Sequence, residues 1–201
     1  VQHDPLLAKE VEALVPTFGG AVSDASAATP NEYCFVKDAD KGYVPARRMA
    51  DPHKFIDVNG RPFTVKPSKA QRASGDELTV AMSSPRVLGL AFDDLVNLDE
   101  LNEATILHSL RVRFERDRFY TSVGSILVSL NPFKWVTKLY SPEVMDFYRD
   151  NRYSSFEKPP HVFDLAERSF FGLLENRQDQ AIIISGESGA GKTEAAKKCV
   201  E

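Results

Sequence analysis

The sequence predicts an α/β domain built around a phosphate-binding loop and preceded by a small all-β barrel. The first observation is that residues 186–193 read Gly-Glu-Ser-Gly-Ala-Gly-Lys-Thr, which fits G-x-x-x-x-G-K-[ST] at every fixed position. The second is that five short apolar runs, separated by turn residues, lie within residues 33–82. Between these two regions, helical and strand patterns alternate, which is typical of α/β folds.

Composition and charge exclude several classes of protein. The 201 residues include 25 Lys and Arg against 29 Asp and Glu, so the net charge is −4, and 42% of the residues are hydrophobic. This composition is ordinary for a globular protein that buries a core. The charge gives no overall positive field for nucleic acid, and no run approaches the roughly 18 apolar residues of a membrane span. We therefore expect no nucleic-acid partner and no transmembrane segment.

Cysteine usage and the first residues indicate the compartment. Residues 1–14 lack the basic start and apolar centre of a secretory signal. Cys34 and Cys199 are too far apart in the sequence for a metal knuckle, and two thiols make no disulfide framework. The sequence therefore predicts a cytoplasmic protein with two reduced thiols.

Residues 1–32 are predicted to form a helix and a linker. Asp4 is the candidate cap and Pro5 takes the first helical position. Residues 19–31 are rich in Gly, Ala, Ser and Thr, which is typical of a linker. The apolar residues of the helix recur at helical spacing and are Leu6, Leu7, Val11, Leu14 and Val15.

Residues 33–82 are predicted to form the barrel. Asp40-Lys41-Gly42 and Asn59-Gly60 supply turns, and the second of these is the stronger hairpin signal. Residues 66–77 contain Pro, Ser and Gly and predict a polar loop. The predicted strands cover residues 33–36, 42–46, 54–58, 62–65 and 78–81.

From residue 83 onward the pattern predicts an α/β domain. Asp99 is a candidate cap for a helix that reaches Leu110, while Asn102 with Thr105 indicates a second cap or a break within that helix. Residues 121–130 are rich in β-branched and apolar side chains, so they predict one buried strand. The dipeptide Asn131-Pro132 follows this strand as a turn.

Two helices and a strand are predicted between this turn and the phosphate loop. Ser141-Pro142-Glu143 opens the first helix, and Pro159-Pro160 precedes the second. Residues 181–185 predict a short buried strand. Residues 194–201 are good helix formers without a stop signal, so we expect the chain to be part of something longer. The apolar set of the second helix is Phe163, Ala166, Phe170, Leu173 and Leu174.

The predicted strand, loop and helix form a binding site for a nucleotide phosphate. The start of a helix points free N–H groups and the positive end of its dipole at an anion. Three glycines, Gly186, Gly189 and Gly191, allow the backbone to approach the phosphate closely. Lys192 supplies a positive charge for the β- and γ-phosphates, and the hydroxyl of Thr193 suits Mg²⁺, a cation that prefers oxygen ligands.

The loop and its surroundings resemble the myosin motor family. The loop with the following Glu194 matches the family's loop letter for letter. The resemblance implies an α/β P-loop NTPase of the myosin motor-head type, preceded by an SH3-like N-terminal subdomain. The implied division is 1–32 for the helix and linker, 33–82 for the SH3-like subdomain and 83–201 for the start of the motor. The other matching blocks are residues 93–95, 101–103, 107–113, 120–121, 124, 129–135 and 159–163.

The resemblance also implies a function and its site residues. It implies the ATP-binding part of an actin-based motor that couples Mg-ATP hydrolysis to force along actin filaments, with light chains or calmodulin as further partners and a cytoskeletal location. Lys192 and Ser188 are the implied catalytic residues, with Ser188 near the γ-phosphate, and Thr193 is the implied Mg²⁺ ligand. The implied ATP/ADP-binding residues are Gly186, Glu187, Ser188, Gly189, Ala190, Gly191, Lys192 and Thr193 in the loop, and Asn131, Pro132 and Tyr140 around the adenine.

The sequence departs from the family pattern before Tyr140. Family members usually carry a Pro two residues before this Tyr and a loop that is one residue shorter, whereas this chain reads Trp135-Val-Thr-Lys-Leu-Tyr140. Tyr140 is therefore expected to be displaced. By the same resemblance, hydrolysis needs switch I and switch II segments that residues 1–201 do not contain, so we expect the isolated chain to be inactive.

Other interpretations remain open at this point. The phosphate loop also fits a nucleotide-binding regulator or a kinase that is not a motor, and a small barrel also suits a partner-binding module. Trp135 fits either a packing anchor or a border of the base site. His108 and His161 are isolated and are expected to be structural. Acidic residues interleave with a group of arginines, which predicts a solvated, salt-bridged face; these are Arg111, Arg113, Arg116 and Arg118.

Overall fold

The computed structural model describes residues 33–67, 79–81, 85–150 and 158–201. The predicted N-terminal helix and linker, residues 1–32, and most of the predicted polar loop lie outside these ranges. The described residues form two compact units. The first contains the described residues up to Phe92 together with Asn97–Val112, and the second contains Asp93–Val96 together with Arg113–Glu201. The domain bounds inferred from the sequence stay a prediction.

The first unit contains a five-stranded antiparallel sheet, so all five predicted strands are confirmed. The strand order is β4-β3-β2-β1-β5. Cys34, Val36, Ala46 and Phe55 form its buried apolar cluster, because alternate residues of the strands face the same side of the sheet. Closure of this sheet into an SH3-like barrel stays a prediction. The strands are β1 Tyr33–Asp38, β2 Gly42–Arg48, β3 Lys54–Asp57, β4 Pro62–Thr64 and β5 Thr79–Ala81.

Helix α1 covers Glu103–Glu115 and is capped by Asn102. The side-chain oxygen of Asn102 accepts from the backbone N–H of Thr105 at 3.0 Å, and the hydroxyl of Thr105 accepts from the backbone N–H of Asn102 at 3.1 Å. This reciprocal pair satisfies amides that a helix start otherwise leaves without partners. The prediction of Asp99 as the cap is therefore wrong, and the alternative at Asn102 is confirmed.

The segment 121–130 is a hairpin, so the prediction of one buried strand is wrong. Strand β6, Tyr120–Val123, pairs antiparallel with β7, Ile126–Ser129. Gly124 adopts φ 59°, a left-handed conformation that glycine tolerates, and its N–H donates to the carboxylate of Asp94 at 3.0 Å. The β-branched run continues through both strands, which is why the turn at Gly124 is hidden in the sequence pattern.

Three more helices follow the hairpin in the second unit. They are α2 Pro142–Asp150, α3 Val162–Asn176 and α4 Lys192–Val200, and their starts agree with the predicted helix signals. Tyr120 from the hairpin packs with Tyr148 of α2 and with Val162 and Phe163 of α3 in one buried cluster. Three other members of the predicted apolar set on α3 do not belong to this core, because Phe170, Leu173 and Leu174 are exposed.

The predicted buried strand at residues 181–185 is wrong for this structure. The segment has no strand assignment, and Ile183 is 91% exposed. A strand requires a neighbouring strand to take its backbone hydrogen bonds, and none of the strands within the described ranges pairs with this segment. Across the same ranges, none of the helices has the length and apolar character that crossing a bilayer requires.

Arg113 is buried, so the prediction of a solvated arginine face is wrong at this position. Its side chain is 2% exposed. The guanidinium donates to the carboxylate of Asp93 at 2.7 Å, to the hydroxyl of Thr121 at 2.7 Å and to the backbone carbonyl of Tyr120 at 2.6 Å. Arg111 is also engaged, since it donates to the backbone carbonyls of Lys41 and Tyr43. The fork of donors on Arg113 therefore ties the start of β6 to the segment that contains Asp93.

Candidate functional site

The phosphate loop leads directly into helix α4, as the sequence predicts. Gly191 is the N-cap residue and Lys192 is the first residue of the helix. Among the described residues, no side chain caps this helix start. The N–H groups of the first turn and the positive end of the helix dipole therefore lie at the loop without a side-chain cap. This is the arrangement that binds anions.

The crest of the loop is a tight turn at Ser188 and Gly189. The backbone N–H of Ala190 donates to the carbonyl of Glu187 at 3.2 Å, which closes the turn. Gly189 adopts φ 78°, the left-handed conformation that the third residue of a type II turn requires. A Cβ atom at Gly189 would meet nothing within 4 Å, so the glycine is needed for its backbone angle rather than for space. Ser188 is exposed beside it.

Lys192 holds its charge against the beginning of the loop. Its ammonium group donates to the backbone carbonyls of Gly186 and Glu187, each at 2.8 Å. A lysine ammonium has three N–H donors, and these two contacts keep it on the same side as the loop carbonyls. The long, half-buried side chain thus places a positive charge within the loop itself, where the sequence predicts a phosphate group.

Thr193 is the residue predicted to offer an oxygen to a cation. It lies in the first turn of α4 and is exposed. Across the described ranges there is no group of three His, Cys, Asp or Glu residues that could hold a metal ion. Mg²⁺ keeps several waters and is often held by one or two protein oxygens together with substrate phosphates. The residues present therefore fit Mg²⁺ that arrives with a nucleotide, and they do not fit a separate metal cage.

Asn131 contacts the phosphate loop. Its side-chain N–H donates to the backbone carbonyl of Gly189 at 2.8 Å, and its side-chain oxygen accepts from the backbone N–H of Phe133 at 2.9 Å. Two of the sequence-predicted site segments, the Asn131-Pro132 turn and the loop, are thus brought together. Pro132 is half-buried next to this contact.

Tyr140 is placed in an aromatic cluster. Its hydroxyl lies 2.7 Å from the hydroxyl of Tyr120, and its ring packs near His161 and Phe163. The ammonium of Lys198, from helix α4, lies over the same ring at 5.2 Å. None of these contacts within the described residues joins Tyr140 to Asn131 or to the phosphate loop. Its role in holding a base stays a prediction.

His161 has a positioning role that the sequence analysis did not identify. Its Nδ1 accepts from the backbone N–H of Phe163 at 3.1 Å, which makes it the N-cap of α3, and its Nε2 donates to the carbonyl of Leu139 at 3.0 Å. The ring stacks on Tyr148 with 5.0 Å between centroids. His161 thereby fixes the backbone next to Tyr140. The available signal was its position directly after Pro159-Pro160, where a helix cap is expected.

The buried imidazole of His161 predicts a loss of stability in mild acid. Burial lowers the pKa of His161 to about 4, whereas an unfolded histidine titrates near 6.5. Between these two values the unfolded chain binds the proton and the folded chain does not, so the free energy of unfolding falls as the pH drops from 6.5 to 4. We expect this group to contribute a decrease of up to about 3 kcal/mol.

Urea denaturation of the purified 201-residue chain at pH 7 and at pH 5 measures this effect. The matched variant is His161→Asn, which keeps a helix-capping side chain but has no proton to bind in this range. The stability difference between the two pH values should be smaller in the variant than in the wild type. An equal difference would show that other groups cause the acid sensitivity.

Two exposed aromatic side chains lie beside the Asn131 turn. Phe133 adopts φ 49° and is exposed, and Trp135 is 89% exposed, so of the two predicted roles for Trp135 the packing anchor is wrong. The ammonium of Lys134, between them, lies 2.5 Å from the carboxylate of Asp117. Trp135 is the one tryptophan in the sequence. Its fluorescence therefore reports on this turn alone within the chain.

A cavity of about 320 Å³ lies behind the loop in the second unit. Its walls come from the β6-β7 hairpin, helix α3, the segment 181–185, the loop and helix α4. Ile182, Ile184 and Cys199 give part of this wall an apolar character. Burial raises the pKa of the Cys199 thiol, which disfavours the reactive thiolate.

The family model and the similar proteins found by comparison agree on one family. A family model described as "Myosin head (motor domain)" matches residues 92–201. The chain is 44% identical over 140 residues to "High molecular weight form of myosin-1" of Acanthamoeba castellanii, which is 66% of this chain and 9% of that protein. It is 46% identical over 109 residues to "Myosin IC heavy chain" of Dictyostelium discoideum, 54% of this chain and 9% of that protein.

A human protein shows the same similarity. The chain is 48% identical over 105 residues to "Unconventional myosin-XV" of Homo sapiens, which is 52% of this chain and 3% of that protein. The chain therefore spans less than a tenth of the length of each of these relatives. The matched region contains the phosphate loop and the Asn131 turn.

Proposed function

The chain belongs to the myosin family, and on that premise we propose that it forms the ATP-binding part of an actin-based motor that couples Mg-ATP hydrolysis to force along actin filaments. The observation that carries the proposal is the convergence of Lys192, the start of helix α4 and Asn131 on one loop. A positive charge, free helix-start amides and a glycine crest at one place form a site for a polyphosphate.

Three side chains and the backbone amides of the loop then have separate tasks toward Mg-ATP. The nucleotide supplies the scissile phosphoanhydride bond, and its Mg²⁺ neutralises charge on the β- and γ-phosphates. Lys192 would attract the β- and γ-phosphates, and the hydroxyl of Thr193 would hold Mg²⁺. The amides of the loop and of the first helical turn would donate to phosphate oxygens, except the N–H of Ala190, which donates to the carbonyl of Glu187. Ser188 is exposed at the crest, and its hydroxyl would donate to or accept from water near the γ-phosphate.

The adenine is assigned to the turn after β7. We propose that Asn131 and Pro132 line the base and that Tyr140 borders it, as family members use these positions. Tyr140 must then bind the base with its hydroxyl held by Tyr120. The additional residue before Tyr140 lengthens the loop that carries it, so base selectivity is the property in which this protein is expected to differ from its relatives.

The apolar surface around the loop supports the proposal that this chain is part of a larger motor. Ile183 is exposed, and part of the cavity wall behind the loop is apolar. Contiguous apolar surface of this kind is typical of a face that another part of a protein covers. We propose that further strands of the full-length motor pair with residues 181–185 and convert them into the buried strand that their composition favours. Actin, light chains or calmodulin would bind other parts of that motor, in the cytoplasm at the cytoskeleton, with residues 33–82 as its SH3-like subdomain.

Hydrolysis by the isolated chain and by the full-length protein tests this proposal. The isolated 201-residue chain should show no turnover of Mg-ATP above that of its own Lys192→Ala variant, because hydrolysis also requires groups that orient the attacking water. The full-length protein should hydrolyse ATP with a strict requirement for Mg²⁺. Turnover by the isolated chain equal to that of the full-length protein would contradict the need for further segments. A full-length protein without turnover would contradict the assignment as an ATPase.

A further inference from the structure

We propose that Asn131 is a positioning residue for the phosphate loop, whose side-chain amide holds the Gly189 peptide in the conformation that receives a polyphosphate. The inference rests on the proposed function and deepens it. It assigns to Asn131 a role toward the phosphates that is separate from the role toward adenine. The proposed partner of the site remains a nucleoside triphosphate with Mg²⁺.

The side chain of Asn131 is held in a single orientation. Its oxygen accepts from the backbone N–H of Phe133, and its N–H group donates to the carbonyl of Gly189. An amide flip would place a donor against the Phe133 N–H and an acceptor against the Gly189 carbonyl, so both contacts fix the same assignment of oxygen and nitrogen. The local contact to Phe133 thus aims the donor at the loop.

The contact acts at the glycine of the crest. Gly189 has no side chain, so its backbone has more accessible conformations than any other residue at the crest. The carbonyl of Gly189 and the N–H of Ala190 belong to one peptide plane. Asn131 holds the carbonyl at 2.8 Å, and the carbonyl of Glu187 holds the N–H at 3.2 Å, so this plane is fixed at both ends.

The turn that carries Asn131 is itself anchored. Ser129 at the end of β7 pairs with Tyr120, and the backbone N–H of Leu130 donates to the carbonyl of Phe119 at 2.9 Å. On the other side of the turn, Lys134 is joined to Asp117. An anchored donor orders the glycine crest before a ligand arrives. The cost of ordering the crest is then not subtracted from the binding free energy.

The experiment compares Mg-ATP with inorganic magnesium tripolyphosphate, which carries the phosphates without the base. Dissociation constants for both are measured by calorimetry on the full-length protein, as wild type, Asn131→Ala and Asn131→Asp. The aspartate variant keeps the acceptor for the Phe133 N–H and removes the donor to Gly189. We expect Asn131→Ala to weaken the binding of tripolyphosphate about fivefold, which corresponds to the loss of one neutral hydrogen bond. The binding of ATP should weaken by at least the same factor. Asn131→Asp should weaken both ligands at least as much.

Two controls separate positioning from damage to the turn. Phe133→Ala changes the same turn without a change of charge or of the Asn131 side chain, and it should leave tripolyphosphate affinity within about twofold of wild type. Amide hydrogen exchange without nucleotide should be faster in residues 186–191 of both Asn131 variants and unchanged in Phe133→Ala, since local opening limits exchange.

Several results would overturn the inference. If Asn131→Ala weakens ATP but binds tripolyphosphate like wild type, the side chain serves the base alone, and the proposed function stands without this inference. If Phe133→Ala weakens tripolyphosphate as much as Asn131→Ala, the effect comes from the turn as a whole. If the wild-type protein binds neither ligand, the proposed function fails and the inference fails with it.

Discussion

Replacement of Lys192 by alanine in the full-length protein should lower the rate of Mg-ATP hydrolysis at least about a hundredfold. The ammonium of Lys192 is the charge that the structure places inside the loop, 2.8 Å from the carbonyls of Gly186 and Glu187. Phosphoryl transfer depends on positioning and on stabilisation of charge spread over the phosphate oxygens. Loss of this charge removes an interaction that is strongest in the transition state.

The control for this prediction lies five residues further along the same helix. Lys197 is exposed and pairs with Glu194 at 2.7 Å, away from the loop carbonyls. Lys197→Ala changes the net charge by the same amount as Lys192→Ala, and it should leave hydrolysis within about twofold, since exposed ion pairs contribute little. Steady-state phosphate release at saturating Mg-ATP measures both variants. Equal losses of activity in both variants would show that the effect comes from the change in net charge and not from the position of Lys192.

Replacement of Arg113 by methionine should lower the free energy of unfolding by about 3 kcal/mol, because it leaves two buried acceptors without their donor. Methionine keeps an unbranched apolar stem but is shorter than arginine and removes every donor. The buried hydroxyl of Thr121 and the carbonyl of Tyr120 then lose a partner at the start of β6, and the carboxylate of Asp93 loses its shortest ion pair. The loss of stability comes mainly from these two buried oxygens, because a buried acceptor left without a donor costs more than its hydrogen bond contributed.

Arg118 provides the matched control for Arg113. It pairs with the same carboxylate of Asp93, at 3.6 Å, but its side chain is 55% exposed. Arg118→Met should therefore change the free energy of unfolding by less than about 1 kcal/mol. Urea denaturation of the purified 201-residue chain compares the two variants. Similar losses would contradict the conclusion that burial, and not the charge of the arginine, determines the effect.

Local signals in the sequence predicted the elements that local chemistry determines. The hairpin signal at Asn59-Gly60, the cap at Asn102 and the sequence Ser141-Pro142-Glu143 each act over a few residues, and the structure contains the corresponding turn and helix starts. The phosphate loop was predictable for the same reason. Its glycines, its lysine and the following helix lie within one continuous segment.

The predictions failed where the outcome depends on distant residues. Residues 181–185 have the composition of a buried strand, but a strand forms only when a neighbour accepts its hydrogen bonds. Arg113 was assigned to a solvated face because acidic residues are adjacent in sequence, while its partners are Asp93 and Thr121, which the fold brings to it. The contact between Asn131 and Gly189 joins residues 58 positions apart, a separation that no periodicity reveals.

The most direct test of the central claim is the effect of actin filaments on hydrolysis of Mg-ATP by the full-length protein. If the chain is the nucleotide-binding part of a motor, filaments should raise the turnover severalfold, and the Lys192→Ala variant should show no activated rate. The same filaments should leave the isolated 201-residue chain inactive. A full-length protein whose Lys192-dependent turnover is identical with and without filaments would contradict the assignment as an actin-based motor, although the loop would remain a nucleotide site.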